Sequence, residues 1–343
     1  MDPSRKTAFV TVLEPNGVLE PQVLLLAESL RRFGGRLASC PFFCVSPRFR
    51  PPLRRSTRAR FDELGIVPID RNFRHKYAWF PFTPKPLAMA AARDVSDATH
   101  LVWLDADVLI LDEPDAFLGA DGADFAACPS GRDIATSGPA DRFHSYWEQV
   151  CGLFGLDVED LPWVETHHEG LQVRFYMNGG VFRVRRESAV IEHVLRNFEA
   201  LMDSGLSTST DSFWQNDMVA LAAAPFTSGS SWCVLPRCYN FSVSGVPERD
   251  QLQGFESARV LHYHLALSPA NRERLLSYFR EFRPDRLEWL EAKGALDASG
   301  ATPAQRVVRR VLRASRERAM RRYLAGCRVV DTGARAEPAA ILP

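Results

Sequence analysis

The sequence predicts an α/β fold built on a mostly parallel sheet with helices on both faces. Three observations carry that expectation. Short apolar, β-branched runs alternate with segments of helical periodicity through the first part of the chain. Glycine, proline and asparagine separate them. The 343 residues are 46% hydrophobic and 24% charged, enough apolar content to close a large core.

Residues 7–13 (TAFVTVL) read as a buried first strand, broken by Pro15, Asn16 and Gly17. Residues 22–33 carry apolar side chains at helical spacing and stop at Gly34 and Gly35. A second strand follows at 42–45, a helix at 57–64, a third strand at 66–69 and an alanine-rich helix at 86–95. Residues 100–111 (HLVWLDADVLIL) form the most apolar strand candidate, yet they contain two aspartates. Further on, 125–128 and 177–184 are predicted strands, 187–202 and 211–223 helices, and 232–235 and 259–265 strands. The stretch 130–174, with glycine, proline and aromatics, is expected to be functional loop plus a short helix or two. In sheets of this kind ligands sit at the carboxyl ends of the strands.

Charge and cysteine content exclude some classes. Lys and Arg number 42, as do Asp and Glu, so a general polyanion binder is not expected. Seven cysteines, with no pair of pairs at zinc spacing, read as small buried hydrophobes in a reducing compartment. The polar residues 1–6 run straight into a strand, so no signal peptide is expected. No apolar run reaches the roughly 20 residues that span a bilayer. A cytoplasmic protein is the expectation.

Asp105 and Asp107 are the informative pair. On an extended chain, residues two apart share a face, so both carboxylates can converge on one hard cation. Unpartnered in an apolar strand, each would cost several kcal/mol or be forced to protonate. The plainer reading ends the strand near Leu104 and leaves the acids capping a turn.

WLDADVLIL resembles the Asp-x-Asp segment of GT-A fold glycosyltransferases, above all family 8, the glycogenin and bacterial lipopolysaccharide sugar transferase type. Other motifs follow in the family's order across roughly residues 7–267. VTVLE with VLLLAESLRR is similar to its first strand and helix, and TPKPLAMAAA to its Lys-bearing helix. YMNGGVF resembles its Asn-x-Gly segment, DMVAL its Asp-Gln-x-Ala-Leu helix with Met218 in the Gln place, and VLHYHL the strand that delivers a metal-binding His. The resemblance implies a GT-A, Rossmann-like mixed sheet and a metal-dependent, retaining transfer of a hexose from a nucleoside diphosphate, UDP most of all, to a hydroxyl. It implies Mn²⁺ or Mg²⁺ on Asp105, Asp107 and His262, with His264 the rival for the imidazole. Thr11, Lys85, Asp105, Ala106, Asn178, Gly179 and Gly180 are then donor-binding, and Asp217 and Asn178 lie nearest the chemistry.

Each of these positions also has a plainer account. Lys85, between two prolines, reads as exposed and stiffened, open to donor contact or merely solvated. Asn178, Gly179 and Gly180 suit close approach of backbone to a sugar, or a β-bulge. Asp217 suits a donor or acceptor contact, a base if the enzyme inverts, or an ordinary helix-surface acid. His167, His168 and Glu169 are placed for acceptor contacts. Two features depart from the family: its nucleotide-contacting Tyr after the first strand is replaced near Asn16 to Val18, and its Lys-Pro-Trp after the metal His is absent.

On this reading the catalytic domain covers 1–298, with a donor half of about 1–130 and a second half of about 131–298. A basic helix at 299–326 and an irregular tail at 327–343 follow. Between Pro303 and Tyr323 stand eight arginines and one acid, Glu317. Val307, Val308, Val311 and Leu312 form a stripe on that helix. It fits an element attracted to an anionic membrane face, suiting a lipid-linked or cell-surface glycan acceptor, and equally a helix packed on the domain. Without aromatic interleaving it does not read as a nucleic-acid binder. Two rivals remain: a haloacid-dehalogenase-type phosphohydrolase, and a non-catalytic binder of nucleotide sugars or glycans.

Overall fold

The structure, a computed structural model, describes residues 6–14, 17–48, 53–167, 169–208, 212–244, 247, 250–296 and 302–330. Pro15, Asn16, His168, Asp211 and the expected tail beyond 330 lie outside them.

The chain begins β1 (Thr7–Val12), α1 (Leu19–Phe33), β2 (Phe42–Ser46), α2 (Arg55–Leu64), β3 (Ile66–Asp70), α3 (Pro84–Val95) and β4 (His100–Leu104). It continues through β5 (Val108–Ile110), β6 (Phe125–Pro129), α4 (His144–Phe154), β7 (Trp163–Glu165), β8 (Gln172–Arg174) and β9 (Met177–Arg185). Then come α5 (Val190–Ser204), β10 (Leu206–Ser207), α6 (Asn216–Ser228), β11 (Trp232–Val234), β12 (Phe241–Ser242) and β13 (Val260–His262). The last elements are α7 (Arg272–Phe282), α8 (Pro284–Glu291), α9 (Pro303–Leu324) and β14 (Arg328–Val329).

Seven strands form the central sheet in the order β11-β6-β9-β4-β1-β2-β3. It is parallel except for β9, which runs antiparallel to both β4 and β6. This is the mixed, mostly parallel α/β architecture that the sequence predicts. Alternate side chains of each strand go to opposite faces. Ala8, Val10, Leu101 and Trp103 pack with α3, α4, α5 and α6. Phe9, Leu13, Val102 and Leu104 pack with α1 and α2. Every residue of β4 is buried, which is why a central strand reads as a continuous apolar run.

Two expectations are corrected and one is extended. Residues 100–111 are two strands, not one: β4 ends at Leu104, the chain turns at Ala106 and Asp107, and β5 joins a small sheet of order β12-β13-β5. Residues 130–174 hold a helix, α4, among loops as expected, but also the β7–β8 hairpin, which the sequence reading does not include. The predicted irregular tail is ordered at its start, because β14 pairs with β10 and Val330 is buried. None of the seven cysteines is in a disulfide, and four are buried.

Candidate active site and metal centre

The site lies where β4 ends and β9 begins, at the carboxyl edge of the parallel strands. Leu104 pairs with Val181, and the Asp105 amide donates to the Gly180 carbonyl at 2.8 Å. That register sets the two aspartates against the Asn178-Gly179-Gly180 segment. The strand has ended at Leu104, and each carboxylate has its own neighbours. Asp105 Oδ1 accepts from Trp103 Nε1 at 2.7 Å and lies 3.4 Å from Lys85 Nζ. Asp107 faces the other way, toward His262 and His264. Asp105 thus sits with Lys85 and Trp103, and Asp107 with His262 and His264, in two adjoining clusters.

The first cluster is Asp107, His262 and His264, whose ligand atoms all lie within 4.8 Å of one another. His262 Nε2 is 3.3 Å from Asp107 Oδ1, and His264 Nδ1 is 4.0 Å from Asp107 Oδ2. The imidazoles stack with centroids 3.9 Å apart. His264 is not on the strand, as expected, but in the turn after β13, with φ at 48°. That left-handed backbone is uncommon outside glycine, and it brings His264 back over His262. Burial works against the Asp107 charge, but the two imidazoles outweigh it and pull the carboxyl down to about 2. Burial also opposes charge on His262, yet Asp107 raises its pKa.

Behind His262 stands a residue that sequence reasoning missed. Asn240 Nδ2 donates to Asn178 Oδ1 at 2.8 Å, which turns its own Oδ1 toward His262 Nδ1 at 3.1 Å. His262 Nδ1–H therefore donates, leaving Nε2 toward Asp107. Ser242 Oγ lies 2.8 Å from His264 Nε2. No spacing in the sequence ties Asn240 or Ser242 to the histidines; the pairing of β12 with β13 does. Trp103, by contrast, is two residues before Asp105 and could have been read from the strand period.

The second cluster corrects two expectations. Lys85 is buried, not exposed, because α3 starts directly over Gly179. Its Nζ donates to the Gly179 carbonyl at 2.8 Å and sits 3.3 Å from Asp217 Oδ2. Burial disfavours the ammonium, but Asp105 and Asp217 more than restore it, and its pKa is raised. Asp217 is likewise buried rather than on a helix surface, in the first turn of α6 where the helix dipole favours negative charge. Burial, chiefly, raises its pKa; Lys85 acts against that.

The glycines serve this packing. A Cβ on Gly180 would stand 2.4 Å from His262 Cε1, and one on Gly179 would stand 3.1 Å from Lys85 Nζ. A side chain at either position would press on His262 or Lys85. Thr11 is fully buried inside β1, and its hydroxyl has no hydrogen-bond partner among the described residues. Ala106 is buried at the turn. Glu169 accepts from the Arg132 amide, and His167 borders a separate crevice with Trp163 and Trp232.

A mixed set of one carboxylate and two imidazoles fits a borderline divalent cation such as Mn²⁺. The fit is helped by His262 Nε2, whose lone pair the Asn240 contact leaves available. Among the described residues, no helix is long and apolar enough to cross a membrane.

The family model of the Rhodobacterales glycosyltransferase domain matches residues 9–225. No curated protein matches. Among solved structures, the galactosyltransferase LgtC, in complex with donor and acceptor sugar analogs, is 14% identical with a TM-score of 0.46, over 87% of this chain and 99% of that one. The glycosyltransferase GlyE of Streptococcus pneumoniae is 14% identical with a TM-score of 0.46, over 87% and 66%. Mouse xyloside xylosyltransferase 1 is 15% identical with a TM-score of 0.41, over 76% and 97%.

Proposed function

The chain belongs to the family of the Rhodobacterales glycosyltransferase domain, and from that premise we propose that it moves a hexose from a nucleoside diphosphate, UDP first among candidates, to an acceptor hydroxyl. The observation that carries this reading is the cluster of Asp107, His262 and His264, backed by Asn240 and adjoining the Lys85 pair. These three side chains would hold Mn²⁺ or Mg²⁺. A divalent cation at such a site supplies Lewis-acid stabilisation of the negative charge that grows on the departing phosphate.

The other residues position and insulate. Asn178 and Asn240 fix the His262 tautomer and so orient its Nε2. Lys85 ties Asp105 and the buried Asp217 to the Gly179 backbone, which keeps the two acids from repelling each other. Asp105, about a quarter exposed, is open to a donor hydroxyl where Lys85 and Asp217 are not. Asp217 is sealed beneath Lys85, a poor place for a base that must reach an acceptor. That favours retention of anomeric configuration over inversion, with Asp217 as a positioning residue. Family membership sets the phosphohydrolase reading aside. The acceptor we assign is a lipid-linked or cell-surface glycan, met at the inner membrane face. Support comes from α9, where eight arginines accompany Val307, Val308 and Val311, all solvent-exposed.

The test is a thermal-shift screen of UDP-, GDP-, CMP- and dTDP-sugars, each with and without Mn²⁺. A ligand at 100 times its dissociation constant adds about 2.7 kcal/mol to stability, well within detection. One nucleotide class should shift the transition, and only with the metal. A metal-independent shift, or none, would refute the assigned centre.

A further inference from the structure

The arginines of α9 do not form a uniformly solvated face. Arg306, Arg309, Arg310, Arg313 and Arg316 line one side of an open crevice of about 680 Å³. Its other walls include Glu14, Trp79, Pro81 and Trp214. The apolar residues Val307 and Val311 point away, 62% and 64% exposed. Leu312 and Met320 of the same helix share the crevice wall with the arginines.

The charge in the crevice is unbalanced. Five arginines meet two glutamates, Glu14 and Glu317. Glu14 is already shared between Arg48 at 2.6 Å and Arg316 at 3.1 Å. Burial disfavours its charge, but those two guanidinium groups outweigh it and lower its pKa. Glu317 pairs with Arg313 at 2.9 Å. Among the described residues no carboxylate pairs with Arg306 or Arg310. A concave wall of like charge focuses its potential into the crevice, and guanidinium groups bind phosphate bidentately. Trp214, 38% exposed, supplies an apolar plate of the kind that packs on a sugar ring.

Three residues of the crevice wall are close along the chain to the candidate active site. Glu14 follows the end of β1, Pro81 precedes Lys85 by four residues, and Trp214 precedes Asp217 by three. The metal cluster of Asp107 and the histidines does not line this crevice. We propose that this crevice is the acceptor subsite for an anionic glycan, its phosphate held by Arg306 and Arg310 and its sugar set against Trp214. The proposal rests on the glycosyltransfer reading above and names the acceptor class for it.

The test uses the full chain, the exposed double variant Arg306→Glu/Arg310→Glu and the milder Arg306→Gln/Arg310→Gln. Binding of glucose 1-phosphate, of glucose and of UDP with Mn²⁺ is measured by calorimetry, with circular dichroism to confirm folding. Glucose 1-phosphate should bind the parent and weaken at least about tenfold in the Glu pair and less in the Gln pair, since charge-assisted bonds are lost. Glucose should bind far more weakly than its phosphate, and UDP with Mn²⁺ should be unchanged. Unaltered glucose 1-phosphate binding in both variants overturns the proposal. A parallel loss of UDP binding also overturns it, by making the crevice the donor's diphosphate site. If the parent binds glucose 1-phosphate in the crevice but no nucleotide with Mn²⁺, the donor reading fails and the anion subsite stands.

Discussion

Gly180 shows how tightly single atoms constrain the candidate site. A methyl there would stand 2.4 Å from the His262 ring and 3.0 Å from Asn178 Oδ1, so the ring or the strand must move. We expect Gly180→Ala to weaken Mn²⁺ binding by about tenfold or more, as loss of ligand orientation does. Gly179→Ala meets the flexible end of Lys85 at 3.1 Å and should do less. Calorimetric titration with Mn²⁺ ranks the two; equal affinities would show that His262 is not a ligand. Lys85 presents the complementary case. Lys85→Met leaves Asp105 and the buried Asp217 facing each other without their shared cation. Breaking a buried pair in this way costs roughly 3–5 kcal/mol, to be read in urea unfolding at neutral pH. A loss below about 1 kcal/mol, as for exposed pairs, would mean that Asp217 escapes to water. At this scale the sequence was readable in part. Asp107 and His262 stand out because acids and imidazoles are rare in apolar strands. Lys85 reads as exposed, and Asp217 as either a site residue or a surface acid, because local sequence cannot reveal which distant backbone covers a side chain.

Elements were easier to read than their ends. Each predicted strand of the parallel half exists, since short apolar, β-branched runs and breaker residues are local signals. The error at 100–111 arose because both halves of HLVWLDADVLIL are fully buried, β4 in the large sheet and β5 against β13. Apolar content alone cannot report that the chain changes sheets at Ala106. The helix α9 raises the opposite difficulty: its arginines are conspicuous, but its anchor is not. Tyr323 packs against Trp79 with centroids 5.2 Å apart and against Tyr77 at 6.0 Å, while Met320 and Leu324 border the same aromatic cluster. Tyr323→Ser should loosen that dock, at a cost of about 1–3 kcal/mol for a partly buried aromatic. The readout is tryptophan emission, which should move to longer wavelength as Trp79 gains water. Unchanged emission would mean that α9 is held by its arginines alone.

For the molecule as a whole, equal numbers of acids and bases conceal where charge is buried, and this determines the response to acid. His100, at the start of the central strand β4, is 5% exposed. Gly119, with φ at 69°, lies so close that a Cβ would stand 2.2 Å from the ring. Burial, reinforced by Arg183 and Arg185, lowers the His100 pKa to about 4, against a smaller opposing pull from Asp121. The folded state thus refuses a proton that the unfolded chain accepts near pH 6.5. Stability from this residue is complete above that pH and falls as pH drops toward about 4, by roughly 3 kcal/mol at the low end. Asp121 follows a different course. Burial opposes its charge, but the Arg183 contacts and backbone bonds prevail and hold it at about 2. Its contribution therefore persists above the ordinary Asp range and is lost only as pH falls toward about 2. Acid unfolding should accordingly begin between pH 6.5 and 4, before the Arg183–Asp121 pair is touched. Urea midpoints measured across that window, for the parent chain and for His100→Gln, separate the two groups. The parent should lose stability steadily there while the variant stays nearly flat; parallel curves would place the proton elsewhere.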